Sequence, residues 1–166
     1  MVKALKFVSK KPTGTKGTAL VLASGVGRYN KIYSDLFENV YYCDLIDEFL
    51  STPAYEHEGA HTIACDINRV FDFVPSNVKF DYVDVQWGLC FVEGLPDFIN
   101  QLKTTLNPGA VVFVKENYLE DNEAQPQPAS MYGTTRAKTE IRYPFGNNIL
   151  FEEEIKVWIR CFVLCW

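Results

Sequence analysis

The sequence predicts an α/β fold on a doubly wound, mostly parallel sheet, and three features point to it. Thr18–Arg28 reads T-A-L-V-L-A-S-G-V-G-R, a short apolar run that ends in a glycine-rich turn. Apolar runs then alternate with segments of helical period as far as residue 114, the pattern of strands joined by crossover helices. Ala110–Val114 is almost unbroken in its apolar character, as expected of a strand covered on both faces.

Residues 1–17 are basic and rich in Lys, Thr and Gly, and read as a loosely held arm before the first strand. Beyond the glycine turn, Val26, Tyr29, Ile32, Tyr33, Leu36 and Phe37 recur at helical spacing. Val40–Cys43 is a second strand, ending on Asp44. Leu45–Leu50 suits a short helix that Pro53 ends, Thr62–Asp66 a third strand, and Phe80–Trp87 a fourth. A helix with Leu95, Phe98, Ile99, Leu102 and Leu106 on one face follows, closed by Asn107-Pro108-Gly109. The fifth strand, Ala110–Val114, leads into Lys115-Glu116-Asn117. Leu119–Thr135 is a polar, proline-containing loop, long enough to be a lid. Glu140–Tyr143, Ile149–Ile155 and Val157–Trp166 read as strands, and Glu152-Glu153-Glu154 as a solvated strand end.

At 166 residues the chain is expected to be one domain, 1–166, and its 48% apolar content excludes a disordered chain. The net charge of −5 and the lack of a long basic run argue against nucleic acid as a partner. Cys43, Cys65, Cys90, Cys161 and Cys165 fall inside apolar stretches and are odd in number, so free thiols in a reducing compartment are expected. The expected location is the cytoplasm, with the nucleus also open. No signal peptide is read, and Val157–Trp166, interrupted by Arg160, is too short to span a membrane. His57 and His61 sit in E-H-E-G-A-H without a second ligand pair at metal-binding spacing; solvated loop histidines are expected, and no metal.

In a doubly wound sheet the ligand lies beyond the carboxyl ends of the strands. Gly25, Asp44, Gln86, Trp87 and Asn117 all fall there. Gly25 and Gly27 allow a sharp turn and a close backbone approach. An acid at the end of the second strand can accept two hydrogen bonds from a ribose diol, each contributing roughly 1.5–3 kcal/mol. A dinucleotide fingerprint asks for a further glycine where the chain has Asn30, so a mononucleoside-like ligand fits better. The same departure, with no Tyr-x-x-x-Lys pair, argues against a nicotinamide-dependent oxidoreductase.

With those residues in place, the chain resembles the class I S-adenosylmethionine-dependent methyltransferases, and more closely the protein N-terminal methyltransferases that modify the α-amine of Xaa-Pro-Lys N-termini. Three stretches carry the likeness across residues 18–118: G-V-G-R-Y-N-K…L-F-E-N-V-Y-Y-C-D-L-I-D-E-F-L, F-D-Y-V-D-V-Q-W and F-I-N-Q-L-K-T-T-L-N-P-G-A-V-V-F-V-K-E-N. The resemblance implies a Rossmann-like methyltransferase fold with an antiparallel C-terminal strand, and S-adenosylmethionine as cofactor. It implies that Gly25, Gly27 and Arg28 hold the methionine end, with Arg28 on the carboxylate. Asp44 would take the ribose hydroxyls, Leu45 and Ile46 would flank the adenine, and Gln86 would lie near the sulfonium. Trp87 and Asn117 would bind the substrate peptide.

The chain also departs from the family. Val21 stands where the family's first strand carries an acid, Ala23 replaces its first loop glycine, and Phe91 falls where a histidine is expected. The acids expected after the fifth strand align near Pro126 and Ala129, with Glu120, Asp121 and Glu123 as substitutes only in a rearranged loop. The family's N-terminal helices are not expected in residues 1–17, and no helix is read after the lid loop. Catalytic residues are therefore unassigned, and two readings stand: a compact N-terminal methyltransferase, or a degenerate relative serving as a binding or regulatory partner. A protein partner that completes the site belongs to both.

Overall fold

The computed structural model of the chain describes residues 17–120, 133–156 and 159–165. The N-terminal arm through residue 16 and positions 121–132 of the expected lid loop, with Asp121, Glu123, Pro126 and Ala129, lie outside the described residues, as do the side chains of Cys161 and Cys165.

The sheet is built on β1 (Thr18–Leu22), flanked by β2 (Asn39–Asp44) and β4 (Phe80–Gln86), with β3 (Ala60–Ala64) beyond β2 and β5 (Leu106–Leu119) beyond β4. All these neighbours pair in parallel. β8 (Ile159–Cys165) runs antiparallel to β5 and to β7 (Ile149–Lys156), giving the order β3-β2-β1-β4-β5-β8-β7, while β6 (Arg136–Ala137) pairs with the far end of β5. This is the expected doubly wound, mostly parallel sheet with an antiparallel C-terminal strand. Leu22 pairs with both Cys43 and Val85, so β1, β2 and β4 end along one edge.

Alternation along each strand divides the core between the two faces. Leu20, Leu22, Val83, Val85, Val112 and Val114 pack with Leu95, Phe98, Ile99 and Leu102 of α4 (Leu95–Thr104). Burying each of those α4 side chains contributes roughly 1.5–3 kcal/mol. On the other face Ala19, Val21, Tyr82, Val111 and Phe113 pack with Tyr33 of α1 (Asn30–Leu36) and with Phe37 just beyond it. The remaining helices are short: α2 (Asp47–Leu50), α3 (Val70–Phe73) and α5 (Lys138–Arg142).

Four local expectations need correction. Val26 precedes α1 and is exposed. The third strand begins at Ala60, and Asp66 lies outside it, where its carboxylate accepts the Asn68 N–H at 2.8 Å and starts a short 3-10 turn. Leu106 belongs to β5, because the helix already closes at Thr105, whose hydroxyl donates to the Leu102 carbonyl at 2.8 Å. Asn107-Pro108-Gly109 then forms an irregularity at the start of β5, where pairing shifts from Phe80–Leu106 to Tyr82–Val111. Glu140–Tyr143 is helical: Glu140–Arg142 falls in α5, whose entry is fixed by the Ala137 N–H donating to Glu140 Oε2 at 2.8 Å, and Tyr143 opens the 3-10 segment after it. A helix after the lid loop thus exists, reduced to five residues of α-helix followed by a 3-10 segment, Tyr143–Asn148.

Candidate active site

The glycine turn opens the site. After β1 the chain takes positive φ at Ala23 (+52°), Gly25 (+59°) and Gly27 (+77°). A Cβ on Gly27 would fall 2.6 Å from Asn30 Nδ2 and 2.8 Å from the Ala54 methyl, so only glycine fits. Asn30 is buried and donates to the Ala54 carbonyl at 3.0 Å. The residue that breaks the dinucleotide fingerprint is thus a strut between the turn and the segment after α2. Tyr55 adds a second strut: its hydroxyl donates to the Gly25 carbonyl at 2.6 Å and lies 2.9 Å from the Ser24 hydroxyl.

Asp44 ties the turn to the end of β2. Its Oδ2 accepts the Gly25 N–H at 2.8 Å and its Oδ1 accepts the Ile46 N–H at 3.0 Å. A carboxylate offers about four acceptor positions, so acceptor capacity remains on both oxygens. Asp44 lines a cleft of 610 Å³ with Leu45, Ile46, Phe49, Cys65, Asp66, Ile67 and Phe91 among its walls. A second recess, of 250 Å³, is lined by Gly25, Arg28, Tyr33 and Asp84. Ala23, Gln86 and Trp87 line both. The predicted site residues therefore divide in two: Asp44, Leu45 and Ile46 on the larger side, Gly25 and Arg28 on the smaller, with Gln86 and Trp87 between. Gly27 lies in the turn and lines neither.

Trp87 has φ +53°, an uncommon conformation for a bulky residue, and is 38% exposed. Three contacts hold it. Its backbone N–H donates to the Lys115 carbonyl at 2.7 Å, its indole Nε1–H donates to Asn117 Oδ1 at 3.1 Å, and Lys115 Nζ sits 3.8 Å from the centre of its ring. The two residues expected to bind peptide, far apart in sequence, are thus in direct contact.

Beneath this platform Glu116 is 4% exposed. Its Oε1 accepts the Asn117 N–H at 3.0 Å and its Oε2 the Cys90 N–H at 3.2 Å. Burial pushes its carboxyl up to about 7, against the opposing pull of those N–H groups and of Arg136. Arg136 donates to the carbonyls of Leu89 (2.6 Å) and Val92, so it and Glu116 together fix the turn that carries Phe91.

Asp84 is the deepest acid of the smaller recess, 1% exposed, and its Oδ2 accepts from the hydroxyls of Tyr33 (2.7 Å) and Tyr82 (3.1 Å). Desolvation raises its carboxyl above the usual carboxylate range, while those phenols and Gln86 pull the other way. Burial likewise raises the Tyr33 and Tyr82 phenols, so they stay protonated as donors.

Sequence reasoning missed Asp84, Tyr55, Asp66 and Cys65. Only Asp66 carried a signal, as an acid directly after an apolar run. Cys43 and Cys65 are free, with sulfurs 3.5 Å apart, and burial raises both thiols. His57 is less solvated than expected: its Nε2 lies 3.0 Å from the Tyr42 hydroxyl and its Nδ1 3.0 Å from the Glu58 carbonyl. His61 is exposed and stacks on Tyr41. No cluster of three or more metal-ligating side chains occurs among the described residues, and none of their helices is long and apolar enough to cross a membrane.

The fold is that of S-adenosylmethionine-dependent methyltransferases. A SAM-dependent methyltransferase of Leishmania major superposes with a TM-score of 0.73 at 14% identity, covering 99% of this chain and 71% of that one. CalS10, an amino pentose methyltransferase from Micromonospora echinaspora, superposes at 0.72 and 13% identity, covering 99% and 88%. The chain belongs to the AdoMet dependent proline di-methyltransferase family, whose model matches residues 1–150. It is 26% identical over 168 residues to N-terminal Xaa-Pro-Lys N-methyltransferase 2 of Danio rerio, covering 97% of this chain and 60% of that protein. It is 30% identical over 111 residues to N-terminal Xaa-Pro-Lys N-methyltransferase 1 of Xenopus tropicalis, covering 62% of this chain and 48% of that protein. The chain thus spans about half to three-fifths of the length of these relatives.

The family's cofactor is S-adenosylmethionine, and the side chains present fit it. An apolar cleft with a carboxylate at its edge suits a nucleoside, and a smaller recess with Arg28 and Asp84 suits an amino-acid end.

Proposed function

We propose that the chain is an S-adenosylmethionine-dependent methyltransferase whose acceptor is the α-amine of a protein N-terminus of the Xaa-Pro-Lys type. The observation that carries the reading is the Asp44 carboxylate, bonded to the Gly25 N–H and set at the rim of the larger cleft. Asp44 holds the ribose, Leu45 and Ile46 cover the adenine, Arg28 takes the carboxylate of the amino-acid end, and Gln86 lies between the two halves. The cofactor supplies an electrophilic methyl group. The chain's contribution is to align an amine with it, and alignment alone is worth several kcal/mol.

Trp87 and Asn117 form the floor for the incoming peptide, and the names of the relatives support that choice of acceptor. A free α-amine titrates near about 7.7–8.0, so roughly a tenth is neutral at pH 7, and restoring that fraction costs only about 1.4 kcal/mol. An α-amine therefore tolerates a site without a strong base. A lysine amine, near about 10.4, would need roughly 4.6 kcal/mol. Incubating the protein with S-adenosylmethionine and an Xaa-Pro-Lys peptide should add methyl mass to the peptide N-terminus. No cofactor binding, or binding without any mass gain, would favour the second reading, a degenerate relative serving as a binding or regulatory partner. Val21 and the strained Ala23 at the turn are the features that favour it.

A further inference from the structure

Val21, where an acid would be expected in this family, is the register partner of Asp84 on the neighbouring strand. Paired residues of adjacent parallel strands point to the same side of the sheet, with strands roughly 4.8 Å apart. Both residues line the smaller recess, beside Tyr33 of α1. A carboxyl at 84 therefore reaches the space that a carboxyl at 21 would have reached. Among the described residues lining that recess, Arg28 is the only base and Asp84 the only acid. An amino acid is a zwitterion and needs such a pair. The hydrogen-bond partners of Asp84 are uncharged phenols and an amide, so a ligand ammonium would give this buried acid a counter-charge.

Resting on the reading above, we propose that Asp84 binds the ammonium of the cofactor's amino-acid end, replacing across one strand the acid missing at Val21. Tyr33 and Tyr82 position the carboxylate by donating to one of its oxygens, and Arg28 takes the ligand's carboxylate.

The test uses calorimetric dissociation constants for three ligands with the full chain and with Asp84→Asn. S-adenosylhomocysteine carries the whole amino-acid end, its deaminated analogue keeps the carboxylate but lacks the amine, and 5′-methylthioadenosine lacks both. The wild type should bind the deaminated analogue at least about tenfold more weakly than S-adenosylhomocysteine, as for a lost charge-assisted bond. Asp84→Asn should erase that difference and leave 5′-methylthioadenosine within about twofold. Equal binding of the first two ligands by the wild type overturns the proposal without needing any variant to fold. So does an Asp84→Asn protein that weakens all three ligands alike. A wild type that binds none of the three overturns the functional reading itself, and this inference with it.

Discussion

Gly25 donates its backbone N–H to Asp44 Oδ2 at 2.8 Å while its carbonyl accepts from Tyr55 at 2.6 Å, so the two successive peptides that meet at this glycine are both held. Asp44 thus both shapes the loop and faces the cleft. Asp44→Ala should weaken S-adenosylmethionine binding by at least about tenfold, since bonds to a charged group contribute roughly 1.5–3 kcal/mol each. Asp44→Asn should fall between the two. Calorimetry checks both; an alanine variant that binds like wild type would remove Asp44 from the ribose.

Ala23 occupies a left-handed conformation that costs a non-glycine residue roughly 1–2 kcal/mol. Its methyl is accommodated because Gly88 has none: a Cβ there would lie 2.9 Å away. Ala23→Gly should stabilise the fold by up to about 1 kcal/mol, the strain relief less the greater freedom of glycine in the unfolded chain. Urea denaturation measures this, and a loss of stability would mean that the methyl's packing outweighs the strain.

Trp87→Phe keeps a ring beside both recesses but loses the hydrogen bond to Asn117. Cofactor affinity should stay within about twofold while KM for an Xaa-Pro-Lys peptide rises several-fold, consistent with the loss of the hydrogen bond that ties Trp87 to Asn117. Steady-state kinetics at saturating cofactor tests the split; equal loss of both would mean that the Trp87 indole serves the cofactor as much as the peptide.

Glu116 adds a pH dependence. Its carboxyl is raised from 4.5 to about 7 by burial, so the native state holds a proton that the unfolded state has released between those values. Its contribution to stability is therefore fully present below about 4.5 and is lost as pH rises through about 7. Relative to Glu116→Gln, the wild type should lose about 3 kcal/mol between pH 4.5 and pH 8, with no further change above. Parallel melting curves for both proteins measure that difference, and matching pH profiles would contradict it.

The centre of this fold was legible because β1, β2 and β5 are buried on both faces and read as apolar runs, and because the turn and Asp44 punctuate them at the right places. Leu106 was misassigned because it lies four residues from Leu102, a spacing shared by a helix continuing and a strand beginning. Glu140–Tyr143 was too short for its period to separate strand from helix. Asp84 was invisible for a different reason. A single acid inside a strand says nothing until Tyr33, brought from α1, and Val21, one strand away, are seen beside it. Tyr55 is the same case: its partner is a carbonyl thirty residues upstream, and no side-chain pattern encodes that bond. Topology places Trp87 and Asn117 at the same sheet edge and the family resemblance gives them a shared peptide role, but their direct hydrogen bond is seen only in the structure.

Whether the chain holds S-adenosylmethionine at all is decided by titrating the full chain with the cofactor in a calorimeter. A saturable one-to-one isotherm is expected, weakened at least about tenfold by Asp44→Ala. No heat and no thermal shift up to millimolar cofactor would contradict the proposed function, leaving the methyltransferase fold without a working cofactor site.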